Sequence, residues 1–431
     1  MCEALSDEHR TKRRKITGHD LYKDILGSPK FIVAPMVEQS ELPWRILSRR
    51  YGAQLVYTPM IGARMFSEEK HKNYKDQAFN LIHGEEGGPH DRPLIVQFSA
   101  NDPETLLRAA KLVENHCDAV DINFGCPQDI ARRGHYGSFL QDDWDLIYKL
   151  INILHENLSI PVTAKFRVFS TIEKTVEYAK MMERAGAQIL TCHGRTRDQR
   201  GHNTGLADWD KIKAVKEAVS VPVFANGNIL FHEDIVRCLD VTGADAVMSA
   251  EANLYNPTVF LGASKLSSFS SSKLESTTSS SDQILDPLST RSTRSRDEFF
   301  VFSSRDPDEN QDIHHKDGGA YLSASSLAHE YLDIVRALKT QTSGSAVKGH
   351  LFKLLRPTLG VHTDLRERLG KVGSSKKEKK TWDDVLREYD EIIDEIERRS
   401  IDEINKVREG KIKLDDLVRK DELEFMYISI D

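Results

Sequence analysis

The chain has 431 residues, 39% of them apolar, and a net charge of -7. That is long enough for a large domain with a second one, and no apolar run approaches the ~18 residues of a membrane span. Five cysteines without CxxC or clustered Cys/His spacing exclude a disulfide framework and a zinc site, so no metal is expected.

Residues 1–30 read as a polar leader without an apolar signal region, carrying a basic knot, Lys12-Arg13-Arg14-Lys15, that fits a flexible tail, a nuclear address or a phosphate contact. From residue 31 a rhythm begins. Strand-like runs cover 31–36, 55–60, 94–100, 119–126, 162–169, 187–194, 221–229 and 244–251. Helix-like runs at 41–51, 104–116, 142–158, 172–185, 209–219 and 232–242 separate most of them. Such alternation predicts an α/β chain whose residues 31–261 form a (β/α)8 TIM barrel, with a doubly wound open sheet as the alternative. Pro161 and Pro222 fall at strand starts, where a missing N–H is tolerated.

In 162–169, Val162, Ala164, Phe166 and Val168 share one parity while Thr163, Lys165 and Arg167 share the other. A strand covered on both faces should be almost wholly apolar, so the polar parity must face something polar. In a barrel that is the mouth at the strand C-termini.

Residues 262–316 are rich in Ser and Thr and poor in aliphatics, the composition of a disordered insertion. Helical patterning returns at 320–339 and 346–370, giving a small helical domain over 317–380. Residues 381–431 form an acidic helical tail, with Val385, Ile392, Ile393 and Ile396 on one helical face. The tail carries 17 acidic and 9 basic side chains, a net of -8, whereas 348–380 carries 10 basic and 3 acidic, a net of +7. A basic surface on an acidic protein points to one polyanion site, although charge alone fits a solvated face equally well.

The chemistry gathers at the strand ends. Val120, Ile122 and Phe124 alternate with Asp121 and Asn123, and Gly125-Cys126-Pro127 stops the strand with a cysteine at its tip. Cys126 could be a nucleophile, a metal ligand, a general acid or inert packing; a thiol titrating near neutrality is a competent proton donor. Cys117, Cys192 and Cys238 have the setting of buried cysteines. Asn226-Gly227-Asn228 after the seventh strand and Ser249-Ala250-Glu251 after the eighth stand where barrels cradle phosphate, and Lys165 and His193 can add charge or hydrogen bonds there. Gln97 and Asn123 offer amides that suit an isoalloxazine edge. Ala34-Pro35-Met36 offers backbone and an apolar floor. Arg132-Arg133-Gly134-His135 and Arg195-Thr196-Arg197 bring guanidinium groups to the mouth, for phosphate, base stacking or surface ion pairs.

Five motifs in order, Ala34-Pro35-Met36, Asn123-Phe124-Gly125-Cys126-Pro127, Ala164-Lys165-Phe166-Arg167, His193-Gly194-Arg195-Thr196 and Asn226-Gly227-Asn228, resemble the tRNA-dihydrouridine synthases. Gln39-Ser40-Glu41-Leu42-Pro43-Trp44-Arg45, Gly134-His135-Tyr136-Gly137 and His350-Leu351-Phe352-Lys353-Leu354-Leu355 resemble the eukaryotic subfamily that acts on uridines 16 and 17 of the tRNA D-loop. The resemblance implies a barrel that binds FMN, NADPH as reductant, and a helical domain that holds tRNA, here with Lys348, Lys353, Arg356, Arg366 and Arg368. It further implies FMN contacts from Pro35, Met36, Val37, Gln97, Lys165, His193, Asn226, Gly227, Asn228, Ala250 and Glu251. Cys126 becomes the proton donor to uracil C5 while the flavin gives hydride to C6. Ala250-Glu251 departs from the Gly-Arg common in the wider family. A monomer without membrane contact, cytoplasmic or nuclear, is the expectation. The rivals are a flavin barrel acting on a free dihydropyrimidine or dihydroorotate, and a tRNA-binding protein without catalysis.

Overall fold

The computed structural model describes residues 16–261, 323–373 and 380–412. The basic knot at 12–15, the Ser-rich stretch 262–316 and the end of the acidic tail lie outside the described residues.

The strands are β1 (Phe31–Val33), β2 (Leu55–Tyr57), β3 (Ile61–Gly62), β4 (Leu94–Ser99), β5 (Ala119–Phe124), β6 (Val162–Arg167), β7 (Leu190–His193), β8 (Val223–Asn226) and β9 (Ala246–Ser249). All pairings are parallel, and β2 pairs with β4 while β1 pairs with β9, which closes a barrel of eight strands. The two-residue β3, which the sequence pattern does not resolve, only extends the upper end of β4. Every expected strand and barrel helix forms; strand ends retreat by up to three residues as the chain turns into loops, while the helices at 172–185 and 232–242 keep their expected bounds.

The alternation works as the pattern of β6 demands. Val120, Ile122, Phe124, Val162, Ala164 and Phe166 pack outward under the helices. Inside, Ile32, Tyr57, Ile95, Ile189, Phe224 and Met248 fill the lower barrel. Pro161 and Pro222 stand just before β6 and β8, and their carbonyls accept from Val120 and Leu190 of the neighbouring strands, so each still joins the ladder through its carbonyl.

The leader is not a loose tail beyond residue 16. Thr17 caps a helical turn, and Leu21, Tyr22 and Leu26 plug the barrel floor beside Phe224. Each such side chain contributes about 1.5–3 kcal/mol when fully buried.

Five helices follow among the described residues: Ala324–Ala337, Gly344–Leu354, Arg356–Val361, Thr363–Lys371 and Trp382–Arg408. Their apolar faces share one core with the barrel helix Leu42–Arg50, through Trp44, Leu47 and Tyr51 against Leu327, Tyr331 and Leu351. The last helix buries Leu386, Tyr389, Ile392, Ile393 and Ile396 in that core and keeps its acidic side outward, so Val385 is only partly covered. Polar contacts reinforce the junction. Glu41 accepts from Tyr331 Oη at 2.8 Å and pairs with His350 Nε2 at 3.0 Å, and the His350 ring stacks on Trp44 with centroids 4.0 Å apart. No described helix is long and apolar enough to cross a membrane.

Candidate active site

The register of the strands aligns the polar parity at the barrel mouth. Asn123 pairs with Lys165, Arg167 with His193, and His193 with Asn226. A one-residue slip anywhere in this ladder would turn one of these groups into the helical layer.

Cys126 sits on a turn held from every side. Asn123 Oδ1 accepts from the backbone N–H of Gly125 at 3.0 Å and of Cys126 at 2.8 Å. The Cys126 carbonyl accepts from both the N–H and the hydroxyl of Ser138, each at 3.0 Å. Gly137, at φ 64°, is required there because a Cβ would stand 2.7 Å from that carbonyl oxygen. Arg167 donates to Gly125 O at 2.9 Å, to Thr196 O at 3.0 Å and to Gln199 O at 2.9 Å, stitching the loop after β5 to the loop after β7. The thiol is half-buried, and burial pushes its pKa up against the pull of Arg167 and Lys165. It is therefore a protonated thiol rather than one titrating near neutrality, the state the sequence alone suggests.

Beside it lies a cationic floor. Lys165 Nζ donates to Asn226 Oδ1 at 2.9 Å, and Asn226 Nδ2 donates to Met248 O at 3.0 Å. Burial and the neighbouring Arg167 press the Lys165 ammonium down to about 8, with Asp121 acting the other way. His193 is neutral: burial, Arg167, Lys165 and Arg195 hold it well below the usual imidazole range. Arg195 donates to His193 Nε2 at 3.3 Å, which places the imidazole proton on Nδ1. Three cations thus converge on a floor whose buried carboxylate is Asp121, and that donor set suits an electron-rich carbonyl edge or a phosphate.

The expected contact residues differ in what they can offer. Pro35, Met36 and Val37 follow β1 and are part-buried or exposed. Gln97 is fully buried below the mouth, its Nε2 on Asp121 at 2.8 Å and its Oε1 accepting from Asn123 at 2.9 Å. Asn228 is a latch: its Oδ1 accepts from Arg195 and Ala207 N–H, and its Nδ2 donates to Ala207 O. Gly227, at φ 111°, lies against His193 and Ala207, where a Cβ would come 2.6 Å from the Ala207 Cβ. Glu251 accepts from Tyr255 Oη at 3.1 Å, and its charge faces Lys353, so backbone rather than carboxylate is what Ala250 and Glu251 can turn to an anion.

The arginines divide. Arg195 is buried structure, and Arg197 and Arg200 pair with Asp142 and Asp129. Arg132, Arg133 and His135 stay exposed beside the Cys126 turn. Of the helical-domain cations, Lys348 caps the carbonyls of Gly370 and Val372, Lys353 and Arg356 flank the Tyr255 ring at 5.3 Å each, and Arg366 and Arg368 are exposed. Sequence reasoning assigned no role to Arg167, Ser138 or Tyr136. Arg167 shares the parity of Lys165, a usable signal. Tyr136 stands in the Gly134-His135-Tyr136-Gly137 motif without a role, since only the fold sets it beside Cys126 and Tyr74, where burial and both neighbours raise its pKa.

Comparison with known proteins gives a consistent answer. The family model described as Dihydrouridine synthase (Dus) matches residues 32–286. The NAD(P)(+) tRNA-dihydrouridine(16/17) synthase of Saccharomyces cerevisiae is 44% identical over 400 residues, 91% of this chain and 81% of that protein. The Schizosaccharomyces pombe protein of the same name is 42% identical over 408 residues, covering 94% of this chain and 87% of that one. A mouse tRNA-dihydrouridine(16/17) synthase-like protein is 46% identical over 358 residues, 83% of this chain and 62% of its own length.

Proposed function

The chain belongs to the dihydrouridine synthase family, and from that premise we propose that it reduces uridines 16 and 17 of tRNA to 5,6-dihydrouridine, with FMN as the bound flavin, NADPH as reductant and Cys126 as the proton donor. The observation that carries this reading is the pairing, at one barrel mouth, of a half-buried protonated thiol with a floor of Lys165, His193 and Arg195.

The donor set fits a flavin. Lys165 Nζ gives one N–H to Asn226 and has two more for a carbonyl edge or phosphate, while neutral His193 and the backbone around Gly227 offer directed hydrogen bonds without further charge. Pro35, Met36, Val37, Ala250 and Glu251 line the adjoining side of the mouth, after β1 and β9. When bound, the flavin supplies hydride to uracil C6.

The chain's own residues do the rest. Cys126 Sγ–H gives its proton to C5 as the 5,6 double bond is lost, so the base gains two hydrogens, and the thiolate is then reprotonated from solvent. Arg167 and Ser138 keep the thiol in place by fixing the peptides on both sides of it. Tyr136 offers an aromatic surface next to the thiol for a planar base. The uridine must leave its stack to reach this mouth. Exposed Arg132, Arg133, Arg366 and Arg368 supply charge for the RNA backbone.

The test is mass mapping of dihydrouridine in uridine-containing tRNA after incubation with the purified protein and NADPH. A gain of two hydrogens at positions 16 and 17 is expected. NADPH oxidation without any gain in tRNA would favour a small-molecule flavoenzyme.

A further inference from the structure

We propose that Asp121 is a positioning residue that sets, through the amides of Gln97 and Asn123, the polarity of the hydrogen bonds holding Cys126. The proposal deepens the assignment of Cys126 as proton donor and rests on it.

Asp121 is fully buried inside the barrel on β5. An ionised carboxylate only accepts. Its Oδ1 takes the Thr163 hydroxyl at 2.6 Å and its Oδ2 takes Gln97 Nε2 at 2.8 Å. An amide has one donating and one accepting end. With Nε2 committed to the carboxylate, Gln97 turns Oε1 toward Asn123, which gives its Nδ2 at 2.9 Å. Asn123 then has Oδ1 facing the N–H groups of Gly125 and Cys126, the orientation that can accept them. Each link dictates the next, and Gln97 and Asn123 are too buried for water to replace a missing partner. If the relay inverts, Asn123 presents N–H to two N–H donors and the Cys126 turn loses its anchor. Burial raises the Asp121 carboxyl to about 6, against Thr163, Gln97 and Lys165, so the accepting form prevails at neutral pH.

The experiment is a double-mutant cycle in the full-length, flavin-loaded enzyme. Thr163→Val leaves the carboxylate accepting from Gln97, so the polarity survives. Asp121→Asn can also keep it, by turning its N–H2 to the Thr163 hydroxyl as acceptor. Together the two changes remove that acceptor, so the N–H2 of the residue-121 amide competes for Gln97 Oε1 and opposes the native polarity of the relay. The expected result is a fall in kcat at least about tenfold beyond the product of the single effects, with KM for tRNA shifted less than about threefold. The rate of Cys126 alkylation by iodoacetamide, mapped by peptide mass, should depart from the product of the singles as well, with buried Cys117, Cys192 and Cys238 as unreactive controls. Multiplicative behaviour in both readouts overturns the relay. A synergistic alkylation cycle with a multiplicative kcat cycle keeps the relay and removes Cys126 from proton donation. Should the double variant not fold, Gln97→Met cuts the same chain one link later; an alkylation rate unchanged from wild type would overturn the proposal.

Discussion

Lys165 Nζ and Asn226 Oδ1 meet at 2.9 Å although their strands, β6 and β8, are separated by β7. The contact reaches across the barrel interior, over Thr191, and it holds a buried ammonium beside the neutral His193. An amine pressed down to about 8 is still charged at neutral pH and loses its proton as pH rises through that value. Retention of the flavin should therefore weaken above pH 8, by about tenfold per pH unit if the ammonium carries the contact. Fluorescence of released flavin against pH measures this, and Lys165→Met should remove the pH dependence along with much of the affinity.

Cys126→Ala should keep its flavin, because none of the cationic floor is disturbed. Its dihydrouridine formation should drop by about 10²–10⁴-fold, the usual span for removal of a general acid. Single-turnover assay on tRNA decides it, and full activity would remove the thiol from the reaction.

Gly227→Ala asks a residue at φ 111° to carry a Cβ 2.6 Å from the Ala207 Cβ. A loss of about 1–3 kcal/mol in urea unfolding is expected, accompanied by weaker flavin binding, since the strained loop packs directly against His193.

At the junction, desolvation would raise the Glu41 carboxyl, but His350 and Tyr331 together hold it below the usual carboxylate range. Its folded-state pKa is thus depressed, so the contribution to stability is present above the unfolded value and is lost as pH falls through the folded one. His350→Ala leaves Glu41 with Tyr331 as its remaining partner and empties the face of Trp44, and about 3 kcal/mol of destabilisation is expected at neutral pH. Thermal melts of the two proteins at pH 7 and in acid should converge as Glu41 becomes protonated.

Arg132→Glu combined with Arg133→Glu should raise KM for tRNA with little change in kcat, because both side chains are exposed beside the turn rather than tied into it. The salt slope of binding should fall by about one for every phosphate these arginines neutralise in the wild type. An unchanged slope would place the RNA elsewhere.

Much of this was legible in the chain itself. Alternation with period two and helical stretches between strands favoured the barrel over an open doubly wound sheet, and the β2–β4 and β1–β9 pairings closed it. The polar parity of Thr163, Lys165 and Arg167, and a cysteine trapped between Gly125 and Pro127, marked the mouth in the sequence itself. What the pattern could not specify was the state and commitment of each group. Cys126 became a high-pKa thiol because its neighbours desolvate it, Arg195 became an internal strut because Gly205 and Asn228 take its guanidinium, and Gln97 was committed to Asp121. The leader beyond residue 16 turned out to plug the barrel because only a closed barrel has a floor to fill. Local sequence determines which face a residue takes; burial, charge and hydrogen-bond partners arrive from strands distant in the chain, and those decide what the residue can do.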